Sequence, residues 1–124
     1  WTEKYVGGNI GWRSVAMSDD GTNRTAVAYN GYIWTSSDFG VSYVQDLSVG
    51  SVKNWVDVAM SSDGTKQVAI VDGGNIWTSN DSGATWTETI LNTGVQSWDS
   101  VAMNSDGTKQ TAVVSGGNIW NKNQ

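Results

Sequence analysis

The strongest constraint on the fold is an internal repeat with a period of 43 residues. The pattern Trp-x-x-Val-Ala-Met begins at Trp12, Trp55 and Trp98. The unit that begins at Trp98 is identical to the unit at Trp55 in 18 of 27 positions, which excludes a chance match. A chain that repeats at this interval is built from copies of one supersecondary unit, so the structure of that unit decides the fold.

Each unit reads as a series of short strands separated by turns. In the second unit WVDVAM, KQVAIV, NIWTS and TWTETI are rich in β-branched and aromatic residues, and SSDGT, DGG and NDSGA between them carry turn residues. No stretch has a helical period. The sequence therefore predicts an all-β fold in which each unit is a four-stranded antiparallel meander.

The strands are apolar on both faces. In the strand that begins at Trp55, Val56, Val58 and Met60 lie opposite Trp55 and Ala59, whereas a sheet with one face in water alternates more cleanly. Each sheet is therefore expected to pack between two neighbours, and a tandem array of such sheets is typical of a β-propeller. A β-sandwich or an open solenoid is the alternative, but a sandwich gains nothing from a strict period.

The repeat also predicts where the units begin and end. Blade one spans 12–54, blade two spans 55–97, and three strands of a split blade span 98–124. Residues 1–11 (WTEKYVGGNIG) resemble the end of the second unit, WTETILNTGVQS, so they are predicted to form a fourth strand and exit loop. The strand predicted at the start of the chain is therefore the fourth strand that the third unit lacks.

This split predicts a ring that closes between chains. Three blades are too few for a ring, since propellers typically have about 4 to 8. If residues 1–6 of one copy complete the third unit of another, a homodimer has six blades and a homotrimer nine. The predicted closure residues are Trp1, Glu3, Tyr5, Ile119 and Trp120. Because the chain begins at Trp without Met, the alternatives are a designed or excised repeat unit and a fragment of a longer propeller.

Composition excludes several classes of function. With 38% apolar and 15% charged residues the chain has the composition of a folded domain, and its net charge of −5 with scattered basic residues argues against nucleic acid or an anionic membrane as the partner. No run of about 18 apolar residues is present. Without His or Cys the chain cannot build a Ser-His-Asp triad, a thiol nucleophile or a zinc site, so no metal or cofactor is expected.

A polar octet occurs once in each of the first two units. SNDSGATW follows the pattern S-x-D-x-G-x-x-W, and SSDFGVSY departs from it only in Tyr for Trp. The pattern suits a tight turn in which Asp accepts backbone N–H groups, Gly takes a positive φ and Trp enters the core. The defining residues are Ser36, Asp38, Gly40 and Tyr43 in the first octet and Ser79, Asp81, Gly83 and Trp86 in the second.

The octets resemble the Asp-box, or BNR repeat, of sialidase-like propellers. The resemblance implies a structural role for these residues on the rim away from the ligand site, and an extracellular or secreted protein. It also raises the question of catalysis, which in sialidase-like enzymes needs three arginines, a Tyr nucleophile with an acidic partner, and an Asp acid/base. The chain has only Arg13 and Arg24, at non-equivalent positions, so we predict that it is not an enzyme. Asp57 and Asp99 remain a formal carboxylate pair for glycoside hydrolysis.

The connections between units are the candidate recognition loops. Residues 7–11, 46–54 and 92–97 differ most between units, and loops on a rigid scaffold commonly carry recognition. Aromatic rings with nearby polar groups suit a neutral sugar, which predicts a multivalent, lectin-like binding module. The competing interpretations are that the tryptophans pack between blades and that assembly is the main activity. The candidate ligand-binding residues are Trp12, Trp55, Trp98, Asn54, Asp57 and Asp99.

Overall fold

A computed structural model describes residues 1–123, and Gln124, the last residue of the predicted third unit, lies outside the described residues. The described residues form eleven β-strands. None of them belongs to a helix long and apolar enough to cross a membrane. The strands are β1 Trp12–Met17, β2 Arg24–Ala28, β3 Ile33–Ser36, β4 Val44–Asp46, β5 Trp55–Met60, β6 Gln67–Gly74, β7 Ile76–Ser79, β8 Thr87–Thr89, β9 Gln96–Met103, β10 Lys109–Val114 and β11 Ile119–Asn123.

The strands pair antiparallel in chain order. Blade one is β1-β2-β3-β4, blade two is β5-β6-β7-β8, and blade three is β9-β10-β11. Two pairs at the end of β6, Asp72 with Ser97 and Gly74 with Gln96, join blades two and three, and a bridge between Gly31 and Lys53 joins blades one and two in the same way. The prediction of four-stranded antiparallel units is confirmed for the first two units.

A β-bulge interrupts the first strand of every blade. The register shifts between Trp12 and Ser14, between Trp55 and Asp57, and at the equivalent place in β9, between the partners of Trp98 and Ser100. A bulge adds one residue to a strand and increases its local twist. Trp55 and Val58 are both buried, three residues apart, although simple alternation would put them on opposite faces.

The blades stack face to face through two apolar clusters. In the first, Val27 and Ile33 of blade one pack with Trp55, Val58 and Trp77 of blade two. In the second, Val68 and Ile70 of blade two pack with residues of blade three that are equivalent to Trp55, Val58, Ala69 and Trp77. These residues are Trp98, Val101, Ala112 and Trp120. We call the face with the first-strand tryptophan the leading face and the opposite one the trailing face. Consecutive sheets packed in this way are the blades of a β-propeller.

A pair of tryptophans is the repeated element of the leading face. The ring centroids of Trp12 and Trp34 lie 6.1 Å apart, those of Trp55 and Trp77 6.0 Å apart, and those of Trp98 and Trp120 5.8 Å apart, with an interplanar angle of 70° in each pair. This edge-to-face geometry contributes about 0.5–1.5 kcal/mol beyond the burial of the rings. The recurring tryptophans thus have the same structural role in every unit.

Turns of successive blades are hydrogen-bonded to one another on one side of the array. The Asp19 N–H donates to the Ser62 carbonyl at 2.8 Å, and the Ser62 N–H donates to the Ser105 carbonyl at 2.7 Å. The side chain of Lys66 reaches the Asp106 carbonyl at 3.2 Å. These turns approach so closely that a Cβ built on Gly64 would lie 2.8 Å from Asn23 of blade one.

This close approach can be tested with two matched alanines. Gly64 and Gly94 have nearly the same backbone angle, φ +78° and +79°, but nothing lies within 4 Å of a Cβ at Gly94. Both variants are expected to lose about 1–2 kcal/mol for the left-handed backbone. Gly64→Ala should lose about 1–3 kcal/mol more because it pushes two blades apart. Urea unfolding measures the difference, and equal losses would contradict the tight contact between the turns.

Candidate functional site

The two octets form the same hydrogen-bonded turn. In the first, the Ser36 hydroxyl donates to Asp38 at 2.8 Å, and Asp38 accepts the Ser42 N–H at 2.9 Å and the Ser42 hydroxyl at 2.6 Å. The Gly40 N–H donates to the Ser36 oxygen at 2.9 Å. The second octet repeats these contacts with Ser79, Asp81, Gly83 and Thr85 at the same distances. The carboxylate oxygens are therefore used within the turn.

The remaining octet residues fasten the turn to its blade. Gly40 and Gly83 have φ angles of +79° and +85°, which a glycine adopts without strain. Trp86 is buried in the cluster between blades one and two, and its indole N–H donates to the Gly83 carbonyl at 3.1 Å. Tyr43, at the same position of the first octet, is only half-buried because no blade among the described residues lies against the leading face of blade one.

These hydrogen bonds favour the charged form of the turn carboxylates. The Ser42 hydroxyl, the Ser42 N–H and the Ser36 hydroxyl lower the pKa of Asp38 to about 2. The Thr85 hydroxyl, followed by the Thr85 N–H and Ser79, lowers the pKa of Asp81 below its usual value. Asp63, in the turn between β5 and β6, also has its pKa lowered to about 2, chiefly by the Ser61 hydroxyl.

The three first-strand tryptophans do not form a set of open platforms. Trp55 and Trp98 are 0% and 1% exposed, and their indole N–H groups are also buried without an acceptor among residues 1–123. The prediction that these two rings present a face to a ligand is therefore wrong, because the preceding blade covers them. Trp12 is 43% exposed because, within residues 1–123, no blade packs against its face of blade one.

Asp57 connects the first strands of all three blades. It accepts the Ser14 hydroxyl of blade one at 2.6 Å, the Ser100 hydroxyl of blade three at 3.0 Å and the Val101 N–H at 2.8 Å. It also accepts the N–H of Val58 in its own strand at 2.9 Å. Four donors occupy the two carboxylate oxygens, so Asp57 stabilises the stacking of blades rather than offering a free acceptor to a ligand.

The other candidate polar residues are not brought together with Asp57 by the repeat. Ser14, Asp57 and Ser100 are equivalent, whereas Asp99 is exposed and equivalent to Val56, the bulge residue. The formal carboxylate pair considered for glycoside hydrolysis, Asp57 and Asp99, thus joins two non-equivalent positions of the repeat. Asn54 is half-buried, and its backbone carbonyl accepts the Asp72 N–H at 2.9 Å.

Sequence reasoning missed a cleft of about 420 Å³ beside the 7–11 loop. Its walls carry three aromatic rings and three side-chain amides, from Tyr29, Tyr32, Trp34, Asn9, Asn30 and Gln45. The signal that could have found it is a departure from the repeat. Units two and three have Asp72 and Ser115 where unit one has Tyr29, and Asn75 and Asn118 where it has Tyr32.

The predicted closure residues lie at the two ends of the array. Trp1, Glu3 and Tyr5 are exposed, and residues 1–6 are not part of any strand. Ile119 is 68% exposed and Trp120 is half-buried in β11. In the part of the chain that the structure describes, β11 pairs only with β10 and is an edge strand. Within residues 1–123, no three acidic, His or Cys side chains come together as a metal site.

Geometry and comparison agree on the class of protein, a partial β-propeller. The fold is similar to YCF48 from Cyanidioschyzon merolae, with a TM-score of 0.77 and 18% identity over 97% of this chain and 37% of that one. A structure of YCF48 bound to D1 peptide has a TM-score of 0.75 and 14% identity over 93% of this chain and 38% of that one. A GH74 enzyme of Niastella koreensis has a TM-score of 0.68 and 19% identity over 90% of this chain and 16% of that one.

These likenesses are limited to the fold. The chain spans 37% and 38% of the YCF48 chains and 16% of the GH74 enzyme. No protein-family model matches the chain, and no curated protein matches it significantly. Function therefore has to be argued from the residues of this chain.

The octet carboxylates predict a specific dependence of stability on acid pH. Because the pKa of Asp38 is lowered from 3.8 to about 2, its stabilising contribution is complete above the unfolded-state pKa and is lost as pH falls towards 2. The double variant Asp38→Asn, Asp81→Asn should unfold more easily at pH 7 and lose less stability between pH 5 and pH 2 than the unaltered chain. Urea unfolding as a function of pH measures this slope.

The matched control is Asp99→Asn, which removes the same type of charge from an exposed position outside the octets. It should keep the slope of the unaltered chain. A double variant with the unaltered slope would contradict the role of the two carboxylates.

Proposed function

We propose that the chain is a non-catalytic propeller module that joins copies of itself into a closed ring and presents a binding face. One observation carries this proposal. Val58 and Val101 are 4% and 8% exposed, whereas Val15, their equivalent in blade one, is 75% exposed. Met17, in the same strand as Val15, is 57% exposed. An apolar face that is buried in two blades and open in the third favours association.

Ring closure gives this face a partner of matching shape. The trailing face of blade three offers Ile119, which is 68% exposed although its equivalent Ile33 is 0% exposed. A head-to-tail contact between these two faces repeats the packing already present between blades one and two. Such contacts form a ring when the rotation closes, with six blades in a dimer or nine in a trimer.

The arrangement of basic residues supports a non-catalytic module. The Arg24 side chain donates to the Gly21 carbonyl at 3.1 Å and packs against Gly40, so it holds the turns of blade one. The Arg13 guanidinium lies 4.7 Å from the centre of the Tyr29 ring. Neither is placed with a second arginine, as the carboxylate clamp of sialidase-like enzymes would require. The octets support grouping the chain with Asp-box propellers, and an extracellular location follows only from that resemblance.

Native mass tests the assembly. The chain has a mass of 13.3 kDa, so a six-bladed dimer should appear near 27 kDa and a nine-bladed trimer near 40 kDa. Val15→Asp places a charge on the leading face and should shift the mass to that of one chain. Val44→Asp, at a 66% exposed position of the outer strand β4, is the matched control. A mass of one chain for the unaltered protein at all concentrations would contradict ring closure and favour a segment of a longer propeller.

The cleft beside the 7–11 loop favours a neutral carbohydrate as the ligand of the binding face. Aromatic rings stack on sugar rings, and the amides of Asn9, Asn30 and Gln45 can donate and accept hydrogen bonds to hydroxyl groups. In a ring of two or three chains the site recurs, so weak binding at each copy gains avidity. This assignment replaces Trp55 and Trp98 by Tyr29 and Tyr32 as the candidate platforms.

A glycan array tests this assignment. Tyr32→Ala should weaken binding about tenfold, since the loss of a stacked aromatic contact costs about 0.5–1.5 kcal/mol in addition to the lost buried area, while the native mass stays unchanged. Phe39→Asn, which removes an exposed ring from the octet of the same blade, is the control and should bind as the unaltered chain does. Binding that is unaffected by Tyr32→Ala would contradict the site, and binding of peptides alone would identify a different ligand class.

A further inference from the structure

The structure contains an apolar cavity between blades two and three. Its volume is about 230 Å³, and it lies beside β11, the open edge of blade three. Four of its lining residues are Ile76 of blade two and Val101, Ala112 and Trp120 of blade three.

The same place between blades one and two is occupied. The residues equivalent to those four are Ile33, Val58, Ala69 and Trp77, and all of them belong to one buried cluster together with Trp86. Trp86 is 6% exposed. The cavity is therefore lined by the equivalents of residues that surround the Trp86 indole in blade two. Within residues 1–123, no tryptophan occupies the position that corresponds to Trp86.

In blade two the Trp86 indole is positioned by the outer strand of the sheet. Trp86 immediately precedes β8, which pairs with β7 through Thr87 with Thr78 and Glu88 with Trp77. The Glu88 carboxylate also accepts the side-chain amide of Asn75 at 2.8 Å. A strand that adds to β11 in this register would place its tryptophan in the cavity and its glutamate beside Asn118, the equivalent of Asn75.

One unpaired segment of the chain carries this sequence. Residues 1–3 are Trp-Thr-Glu, identical to residues 86–88, and Trp1 is fully exposed while residues 1–6 pair with no strand. We propose that the cavity is the docking site for Trp1 of a second copy, whose residues 2–4 add to β11 and whose Glu3 accepts a hydrogen bond from Asn118.

This proposal rests on the proposed assembly but names one contact within it, so variants at Trp1 test it. Trp1→Ala should weaken association about a hundredfold to a thousandfold, in line with the truncation of a buried tryptophan. Trp1→Tyr should retain most of it, because Tyr43 stands at this position in the first octet. Phe39→Asn, which removes an exposed ring of blade one that belongs neither to residues 1–6 nor to the cavity lining, is the control. The association constant is measured by sedimentation over a range of concentrations.

The register can be tested by disulfide trapping, since the chain has no cysteine of its own. Thr2→Cys and Asn121→Cys, mixed as separate full-length chains, should form a linked dimer on mild oxidation, because the equivalent residues Thr87 and Thr78 are paired. Thr111→Cys lies one strand further from the edge, opposite Asn121 on β10, and should not link to Thr2→Cys.

The outcomes separate this contact from assembly in general. Oligomers that persist in Trp1→Ala without the Thr2–Asn121 link would overturn the docking site and leave the ring proposal standing. If the chain is monomeric, a synthetic peptide of residues 1–6 decides: saturable binding that is lost in Ala112→Trp, which fills the cavity, supports the pocket. No binding, or binding unaffected by Ala112→Trp, overturns it.

Discussion

The fold depends on the burial of the tryptophan pairs of blades two and three under the trailing face of the blade before them. A single four-stranded sheet with two apolar faces has no stable place in water, and the pair Trp55 and Trp77 is buried only because Val27 and Ile33 of blade one lie against it. Burial of one indole of about 150–250 Å² is favourable by about 4–6 kcal/mol before conformational entropy is subtracted. The stability of any blade is therefore a property of its neighbours.

The polar groups reinforce the same stacking. Asp57 holds the first strands of three blades together, and the turns that contain Asp19, Ser62 and Ser105 are hydrogen-bonded in succession. The octet carboxylates are used within their own turns. These carboxylates are therefore engaged in holding the structure, and the recognition site that we propose lies beside the 7–11 loop, where Tyr29, Asn30 and Asn9 of the cleft are exposed.

Much of the fold could be predicted from the sequence because the repeat unit begins three times, at Trp12, Trp55 and Trp98. Repetition separates residues that serve the unit, such as Gly83 and Trp86, from residues that vary. The bulge after Trp12, Trp55 and Trp98 could not be predicted, since no residue type marks it, and it decides that Asp57 faces the neighbouring blades. The difference between Trp12 and Trp55 was also hidden, because identical residues are exposed or buried according to their place in the array. The cleft at Tyr29 and Tyr32 does not follow from the repeat, because both tyrosines are replaced by polar residues in the other two units.

The three methionines of the chain measure the central claim most directly. Met17, Met60 and Met103 occupy equivalent positions, one in each blade, and Met17 is 57% exposed in a single chain while the other two are half-buried. Brief oxidation with peroxide, read by mass spectrometry of peptides, reports the exposure of each one. If the trailing face of another copy covers blade one, Met17 should be oxidised as slowly as Met60. Rapid oxidation of Met17 alone would show that the leading face stays open and would contradict the closed ring.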